Sequence, residues 1–157
     1  MRKRTISSGS EAVSRSGGAW LDLERLAQVE ITSESAEHPI ESALIPDRGP
    51  GWRAAQAGEQ TIRLIFDQPL ALKRILLRFD EMERGRTQEF VLRWLPEGQQ
   101  SSREIVRQQY TFSPPDTNQE IEDYRVKLDG VTALELEIVP DISGGGAYAS
   151  LAEMRLA

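Results

Sequence analysis

Residues 124–138 read Tyr-Arg-Val-Lys-Leu-Asp-Gly-Val-Thr-Ala-Leu-Glu-Leu-Glu-Ile, and they show the pattern that governs most of this chain. On both sides of the Asp129-Gly130 pair, apolar residues occupy alternate positions, with polar residues between most of them. Such alternation is typical of a β-strand with one face in a core and the other in water. Asp-Gly is a frequent turn pair. We therefore predict two strands here, separated by a turn.

The same period-two alternation recurs in both directions from this stretch. Further predicted strands contain Val29 and Ile31, Ile62 to Phe66, Ile75 to Phe79, Phe90 to Trp94, Val106 to Phe112, and Met154 to Leu156. Turn signals such as Asp67-Gln68-Pro69 and Pro96-Glu97-Gly98 separate them, and we expect Pro69 to end a strand. About eight short strands without a long helical pattern are typical of all-β proteins, so we predict an antiparallel β-sandwich.

The chain of 157 residues has the size of one ordinary domain. Residues 1–18 are rich in Ser, Gly and Arg and hold only two sizeable apolar residues, Ile6 and Val13. We therefore predict a flexible tail, followed by a single β-sandwich domain over residues 19–157. The charged start of the chain is not followed by the apolar segment of a signal peptide, so we expect a cytoplasmic protein.

Composition narrows the chemistry and the partners. The chain has no cysteine and one histidine, which excludes disulfides, thiolate metal sites, cysteine nucleophiles and multi-histidine metal sites. A formal net charge of −6 argues against nucleic acid or an anionic membrane surface as the main partner. No apolar run approaches the ~20 residues of a membrane-spanning helix. With one histidine, no cysteine and no serine in a nucleophile-elbow sequence, the chain has little catalytic equipment, so we predict that the protein is not an enzyme.

The order of seven stretches along the chain is informative in addition to the alternation. They are His38 to Leu44, Asp47 to Trp52, Thr61 to Pro69, Ala71 to Phe79, Glu89 to Trp94, Leu134 to Pro140 and Ser150 to Leu156. This succession resembles the discoidin or coagulation-factor type C domain, whose fold is a galactose-binding-like jelly roll. The resemblance runs from about Val29 to Leu156. Unlike the extracellular members of that family, this chain lacks the cysteine pair, and Arg48 separates Asp47 from Gly49.

The resemblance implies a structural calcium ion near the two chain ends of the sandwich. Asp47 and Glu153 stand where related domains hold that ion. Calcium prefers several oxygen ligands, usually carboxylates and backbone carbonyls. The alternative is that both residues are ordinary carboxylates of a turn and of an edge strand.

The resemblance also implies a non-catalytic module that binds a sugar or glycan through loops at one end of the sandwich. Those loops are His38 to Ile40, Met82 to Arg86, Phe112 to Asn118 and Asp141 to Tyr148. The candidate ligand-binding residues are His38, Arg84, Arg86, Phe112, Asn118 and Tyr148. We expect the polar ones to hydrogen-bond sugar hydroxyls and an aromatic one to stack on a sugar face. Packing is the alternative for both aromatics, and a solvated loop position is the alternative for His38.

An intracellular protein-interaction or scaffold domain is the alternative function. Arg93 and Arg107 lie on neighbouring predicted strands and would form a basic stripe for an acidic partner if those strands pair. The other interpretation of these two residues is a mixed-charge, solvated face, which the acidic overall balance favours.

Overall fold

The structure is a computed structural model that describes residues 20–157. The predicted tail, residues 1–18, lies outside the described residues. The elements are α1 (Leu23–Leu26), β1 (Ala27–Ile31), α2 (Glu41–Leu44), β2 (Trp52–Arg53), β3 (Gln60–Asp80), β4 (Arg86–Pro96), β5 (Arg103–Phe112), β6 (Gln119–Val139), β7 (Ser150–Leu151) and β8 (Glu153–Leu156). Every segment predicted from alternation lies in a strand. The two-residue strand β2 was not predicted, and the stretch Ser150 to Leu156 is divided into β7 and β8.

Two strands are much longer than the alternation predicts. β3 and β6 have 21 residues each and pair antiparallel along almost their whole length. Their register shifts between Ile65 and Arg74, so the pair bends there without ending. The predicted strand end at Asp67-Gln68-Pro69 and the predicted turn at Asp129-Gly130 are therefore wrong. Gly130 has a φ of 66°, which glycine adopts without strain and which lets β6 bend.

The bend divides β3 and β6 between two layers. Their segments 60–65 and 133–138 pair with each other in a five-stranded layer of order β1-β3-β6-β4-β5. Their other halves form a smaller layer in which β8 pairs with β3. The layers face each other, because Phe79 of β3 stacks on Phe90 of β4 at 5.3 Å between ring centroids although these strand segments are not paired. The predicted antiparallel β-sandwich is confirmed.

The core follows the predicted alternation. Ile62 and Leu64 of β3 are buried, and so are Leu134 and Leu136 of β6. Trp52 is also buried, and its indole Nε1 donates a hydrogen bond to the carbonyl of Ser33 at 3.0 Å. A large aromatic side chain thus anchors the short strand β2, which borders the site considered next.

Both helices among the described residues have four residues, and neither is long or apolar enough to cross a membrane.

Candidate binding groove

Loops beside the start of β4 enclose an open groove of about 480 Å³, called here the loop-end groove. This volume lies in the range of small-ligand sites in proteins. The lining residues are His38, residues 50–53, residues 80–84, residues 146–148 and residues 150–152. Three of the predicted ligand-binding residues, His38, Arg84 and Tyr148, are therefore brought together.

The pairing of β2 with β7 positions one wall of the groove. Trp52 pairs with Leu151 and points into the core, so the next side chain, Arg53, points to solvent. The guanidinium of Arg53 lies 5.5 Å from the centroid of the Tyr148 ring. Tyr148 remains 40% exposed. The groove therefore offers an accessible aromatic ring that a cation supports.

The opposite wall is the loop that carries Met82 and Arg84, and Glu81 organises it. One carboxylate oxygen of Glu81 accepts hydrogen bonds from the backbone N–H of Glu83 (2.9 Å) and Arg84 (3.1 Å). The other accepts a hydrogen bond from Nε of Arg86 at 2.6 Å. Burial alone would raise the pKa of Glu81, but these three hydrogen bonds outweigh it and lower the pKa. Glu81 is thus an ionised group that holds the loop.

Arg86 and Phe112 do not contact the groove, and their prediction as ligand-binding residues is corrected. Arg86 is buried and also donates through Nη1 to the carbonyl of Pro140 at 2.8 Å. Phe112 is fully buried, and the guanidinium of Arg86 lies 4.8 Å from the centroid of its ring. The physical reason is the register of β4 and β5, which pairs these two residues on the inward face. They support the loop from below.

Asn118 lies outside the lining of the groove as well. Its side-chain amide donates a hydrogen bond to the carbonyl of Pro115 at 3.3 Å. Its backbone carbonyl accepts a hydrogen bond from the backbone N–H of Glu81 at 2.8 Å. Its contribution is to anchor the Glu81 loop through the backbone. The predicted loop from Phe112 to Asn118 therefore supports the groove without forming part of it.

His38 occupies the edge of the groove beside Arg53. Its carbonyl accepts the backbone N–H of Arg53 at 3.2 Å, which fixes the turn against β2. Its Nδ1 is buried and has no hydrogen-bond partner among the described residues. Buried polar atoms are normally satisfied, so this nitrogen is a candidate for a contact with water or with a ligand.

The two predicted calcium ligands face an arginine. Arg155 of β8 lies with Nη2 at 3.2 Å from Glu153 Oε2, and its Nη1 donates to the carbonyl of Ala43 at 2.9 Å. Asp47 interacts electrostatically with the same guanidinium. Burial lowers the pKa of Arg155 while both carboxylates act to raise it. Arginine keeps its charge in proteins, so a cation already pairs with Glu153 and attracts Asp47.

Asp47 and Glu153 therefore do not fit a calcium ion in this chain. Glu153 also pairs with Arg78 at 3.3 Å, so two guanidinium groups compete for its carboxylate. Over residues 20–157, no three His, Asp or Glu side chains converge as a set of metal ligands.

The predicted basic stripe of Arg93 and Arg107 does not form either. The strands β4 and β5 do pair, but each arginine meets acids. Arg107 Nη1 lies 2.8 Å from Glu89 Oε2, and Arg93 Nη1 lies 3.4 Å from Glu137 Oε1. The outer face is a mixed-charge surface, which removes the specific support for an acidic protein partner.

Sequence reasoning missed Arg53 as a groove residue and did not single out Met82, which is 63% exposed. A signal for Arg53 existed. It follows Trp52, and a buried tryptophan in a strand directs its neighbour to solvent. No comparable signal marks Met82, because the exposure of a loop side chain depends on how the loop is held.

The fold has solved counterparts. No protein-family model matches the chain, and no curated protein matches it by sequence. A pectin-binding carbohydrate-binding module is 17% identical over 84% of this chain and 90% of that chain, with a TM-score of 0.60. The family 32 module of C. perfringens NanJ in complex with galactose is 14% identical over 83% and 92%, with a TM-score of 0.59. The family 32 module of AlyQ in complex with 4,5-unsaturated mannuronic acid is 13% identical over 84% and 95%, with a TM-score of 0.60.

These similarities show that the chain has the galactose-binding-like β-sandwich of such modules, as the sequence resemblance implied. At this level of identity they concern the fold alone.

Proposed function

We propose that this protein is a non-catalytic carbohydrate-binding module whose ligand lies in the loop-end groove. The observation that carries the proposal is the exposed ring of Tyr148 beside Arg53, Arg84 and His38 in that groove. A sugar presents an apolar C–H face and a rim of hydroxyls. An aromatic ring surrounded by hydrogen-bonding side chains complements both features. The solved modules of the same fold, named for pectin, galactose and mannuronic acid ligands, support this ligand class.

The groove suits reversible binding of one or two sugar units. Tyr148 stacks on the sugar face, and the guanidinium of Arg84 and the imidazole of His38 bind hydroxyls. Because the groove is open and its apolar anchors are few, we expect a Kd of about 0.1–1 mM for a short sugar.

Two of the three acids that line the groove, Asp80 and Glu81, are held in structural contacts, which supports a non-catalytic role. General acid catalysis needs a carboxyl whose pKa is raised towards neutrality. The pKa of Glu81 is lowered instead, and its oxygens are used by Arg86 and by two backbone N–H groups. Asp80 is paired with Arg78 at 2.6 Å.

We also propose that the module works without a structural calcium ion, since Arg155 supplies a cation that pairs with Glu153 and attracts Asp47.

A titration of ¹⁵N-labelled protein with galactose, N-acetylgalactosamine and galacturonic acid tests the proposal. We expect chemical-shift changes at residues 82–84 and 146–148 with at least one of these sugars. Tyr148→Ala should remove them. Ile121→Ala is a matched control, because Ile121 is 56% exposed and lies outside the lining of the groove. No shift at millimolar concentrations of any of the three sugars contradicts the proposal.

A further inference from the structure

A second concave site lies on the outer face of the five-stranded layer. It has a volume of about 460 Å³ and is called here the sheet-face hollow. Its lining includes Ile65, Leu95, Ala133, Glu135, Gln100 and Ser102. None of these residues lines the loop-end groove. The hollow lies at the end of β4, whereas the loop-end groove lies beside its start.

The floor of the hollow is an apolar row with a gap in it. Ala133 pairs with Ile65 on one side and with Leu95 on the other, so three neighbouring strands present these side chains at one level. The central side chain is a single methyl group between two large aliphatic ones. All three are partly exposed. A ligand with a flat apolar face can therefore rest on Ala133 between its neighbours.

The next row along the strands is charged but compensated. Glu135 pairs with Arg63 and with Arg93 in the register of the sheet. Its carboxylate lies 2.6 Å from Arg63 Nη2 and 3.6 Å from Arg93 Nη1. Because each of these charges already faces an opposite one, the hollow offers no unpaired charge to an ionic ligand. Burying an ion there would break pairs that are already formed.

The rim of the hollow still holds hydrogen-bonding groups. The amide of Gln100 and the hydroxyl of Ser102 belong to exposed residues of the loop between β4 and β5. Amide, hydroxyl and guanidinium groups together provide both donors and acceptors. The Trp94 ring packs against the core beside the hollow, and the guanidinium of Arg103 lies 5.8 Å from its centroid.

We propose that the sheet-face hollow is a second carbohydrate site, selective for a neutral glycan chain. An apolar floor, a compensated charge row and exposed amide and hydroxyl groups match a ligand with a C–H face and uncharged hydroxyls. The proposal rests on the proposed function of the protein as a carbohydrate-binding module. Two separate sites on one rigid domain would let it bind a polysaccharide more tightly than either site binds a single sugar.

The test fills the hollow and leaves the groove unchanged. Ala133→Phe places a ring between Ile65 and Leu95, and Gln100→Ala with Ser102→Ala removes rim groups from an exposed loop where folding is not at risk. Tyr148→Ala is the matched variant of the other site. The probes are cellohexaose, xylohexaose and β-1,4-galactotetraose, with tri-galacturonic acid as the acidic probe. The readouts are amide chemical shifts and calorimetric affinity.

We expect at least one neutral probe to shift residues 63–65, 93–95 and 133 of the wild-type protein. Ala133→Phe should abolish those shifts and lower the affinity about tenfold, the loop double variant should lower it about threefold, and Tyr148→Ala should leave the shifts in place. The absence of such shifts with every neutral probe overturns the proposal. So does an unchanged affinity in both hollow variants, or tighter binding of tri-galacturonic acid at the hollow.

The two proposals fail separately. Shifts confined to residues 82–84 and 146–148 in the wild-type protein overturn the sheet-face site and support the loop-end groove. Shifts confined to the hollow support the sheet-face site and overturn the groove as the ligand site.

Discussion

The guanidinium of Arg155 lies 3.2 Å from the carboxylate of Glu153 and joins β8 to the helix α2 by a hydrogen bond to the carbonyl of Ala43. Carboxylate and carbonyl oxygens are the groups that calcium binds in proteins. In this chain an arginine side chain uses them. The Arg155 side chain is only 10% exposed, so solvent screens the interaction weakly.

Removal of this arginine should destabilise the fold. We expect Arg155→Met to lower the free energy of unfolding by about 1–2 kcal/mol, because the carbonyl of Ala43 loses its donor and Glu153 keeps only Arg78 as a partner. The Tm of the wild-type protein should be the same with about 5 mM calcium and with a chelator. Urea unfolding and paired thermal scans measure both effects. A calcium-dependent rise in the wild-type Tm contradicts this account, since an ion that binds only the native state must stabilise it.

The pair of Glu81 and Arg86 should be essential for the loop that carries Met82 and Arg84. Their side chains are 15% and 1% exposed, and we expect Glu81→Gln to cost about 3 kcal/mol because a buried guanidinium loses its charge partner. Glu83→Gln in the same exposed loop should cost less than about 0.5 kcal/mol. Equal losses in the two variants, measured by urea unfolding at pH 7, would show that the pair is not special.

The same carboxyl should contribute to acid sensitivity. The pKa of Glu81 is lower in the folded protein than its ordinary value of 4.5. Its contribution to stability is therefore fully present above pH 4.5 and is lost as the pH falls through the lower folded pKa. The difference in unfolding free energy between wild type and Glu81→Gln should shrink as the pH is lowered from 6 to 3, a range of about three units. A constant difference would exclude ionised Glu81 as its source.

A buried carboxyl between the layers should act in the opposite direction. Glu120 is almost fully buried, accepts a hydrogen bond from Gln88 at 3.0 Å, and has Oε2 unpaired among the described residues. Burial, with Glu122 on the same inward face of β6, raises the pKa of Glu120 to about 8. The folded state therefore binds a proton that the unfolded state releases near pH 4.5, so stability falls as the pH rises from 4.5 to 8.

The variant Glu120→Gln should remove this dependence. Above pH 8 we expect it to exceed the wild-type free energy of unfolding by about 1–3 kcal/mol, because no buried charge forms. Urea unfolding of both proteins at about pH 5, 7 and 9 measures how the free energy of unfolding depends on pH. Glu104→Gln, an exposed change on β5, should keep the wild-type profile. A variant that is less stable than wild type at high pH would show that Glu120 ionises without penalty.

Gly51 should be required for the wall of the loop-end groove. A Cβ at this position would lie 2.7 Å from Cα of Ala152 and from the carbonyl oxygen of Leu151, and its φ is +123°. We expect Gly51→Ala to lower the unfolding free energy by about 2–4 kcal/mol. Gly58→Ala is the matched control, since its φ of +96° is also strained but no atom lies within 4 Å of the added carbon. Similar losses in both variants would assign the effect to backbone strain alone.

Local alternation was sufficient to predict which side chains of each strand face the core. Leu134 and Leu136 alternate with acids, and an extended backbone sends successive side chains to opposite faces wherever that strand lies in space. The irregular positions near Pro69 and Gly130 were also recognisable. Only strand pairing shows that these positions are bends and that the chain does not reverse there. β3 and β6 shift register together and so pass from one layer to the other.

The groove depended much more on long-range contacts. His38, Arg84 and Tyr148 meet because β2 pairs with β7 and because Arg86, the partner of Glu81, ties the loop to the carbonyl of Pro140. Both interactions join residues that are distant in sequence. Arg86 and Phe112 have residue types that suit a ligand site, yet the register of β4 and β5 turns them inward. Side-chain chemistry can be read from the chain, but the face on which a side chain lies at a strand end is set by its partner strand.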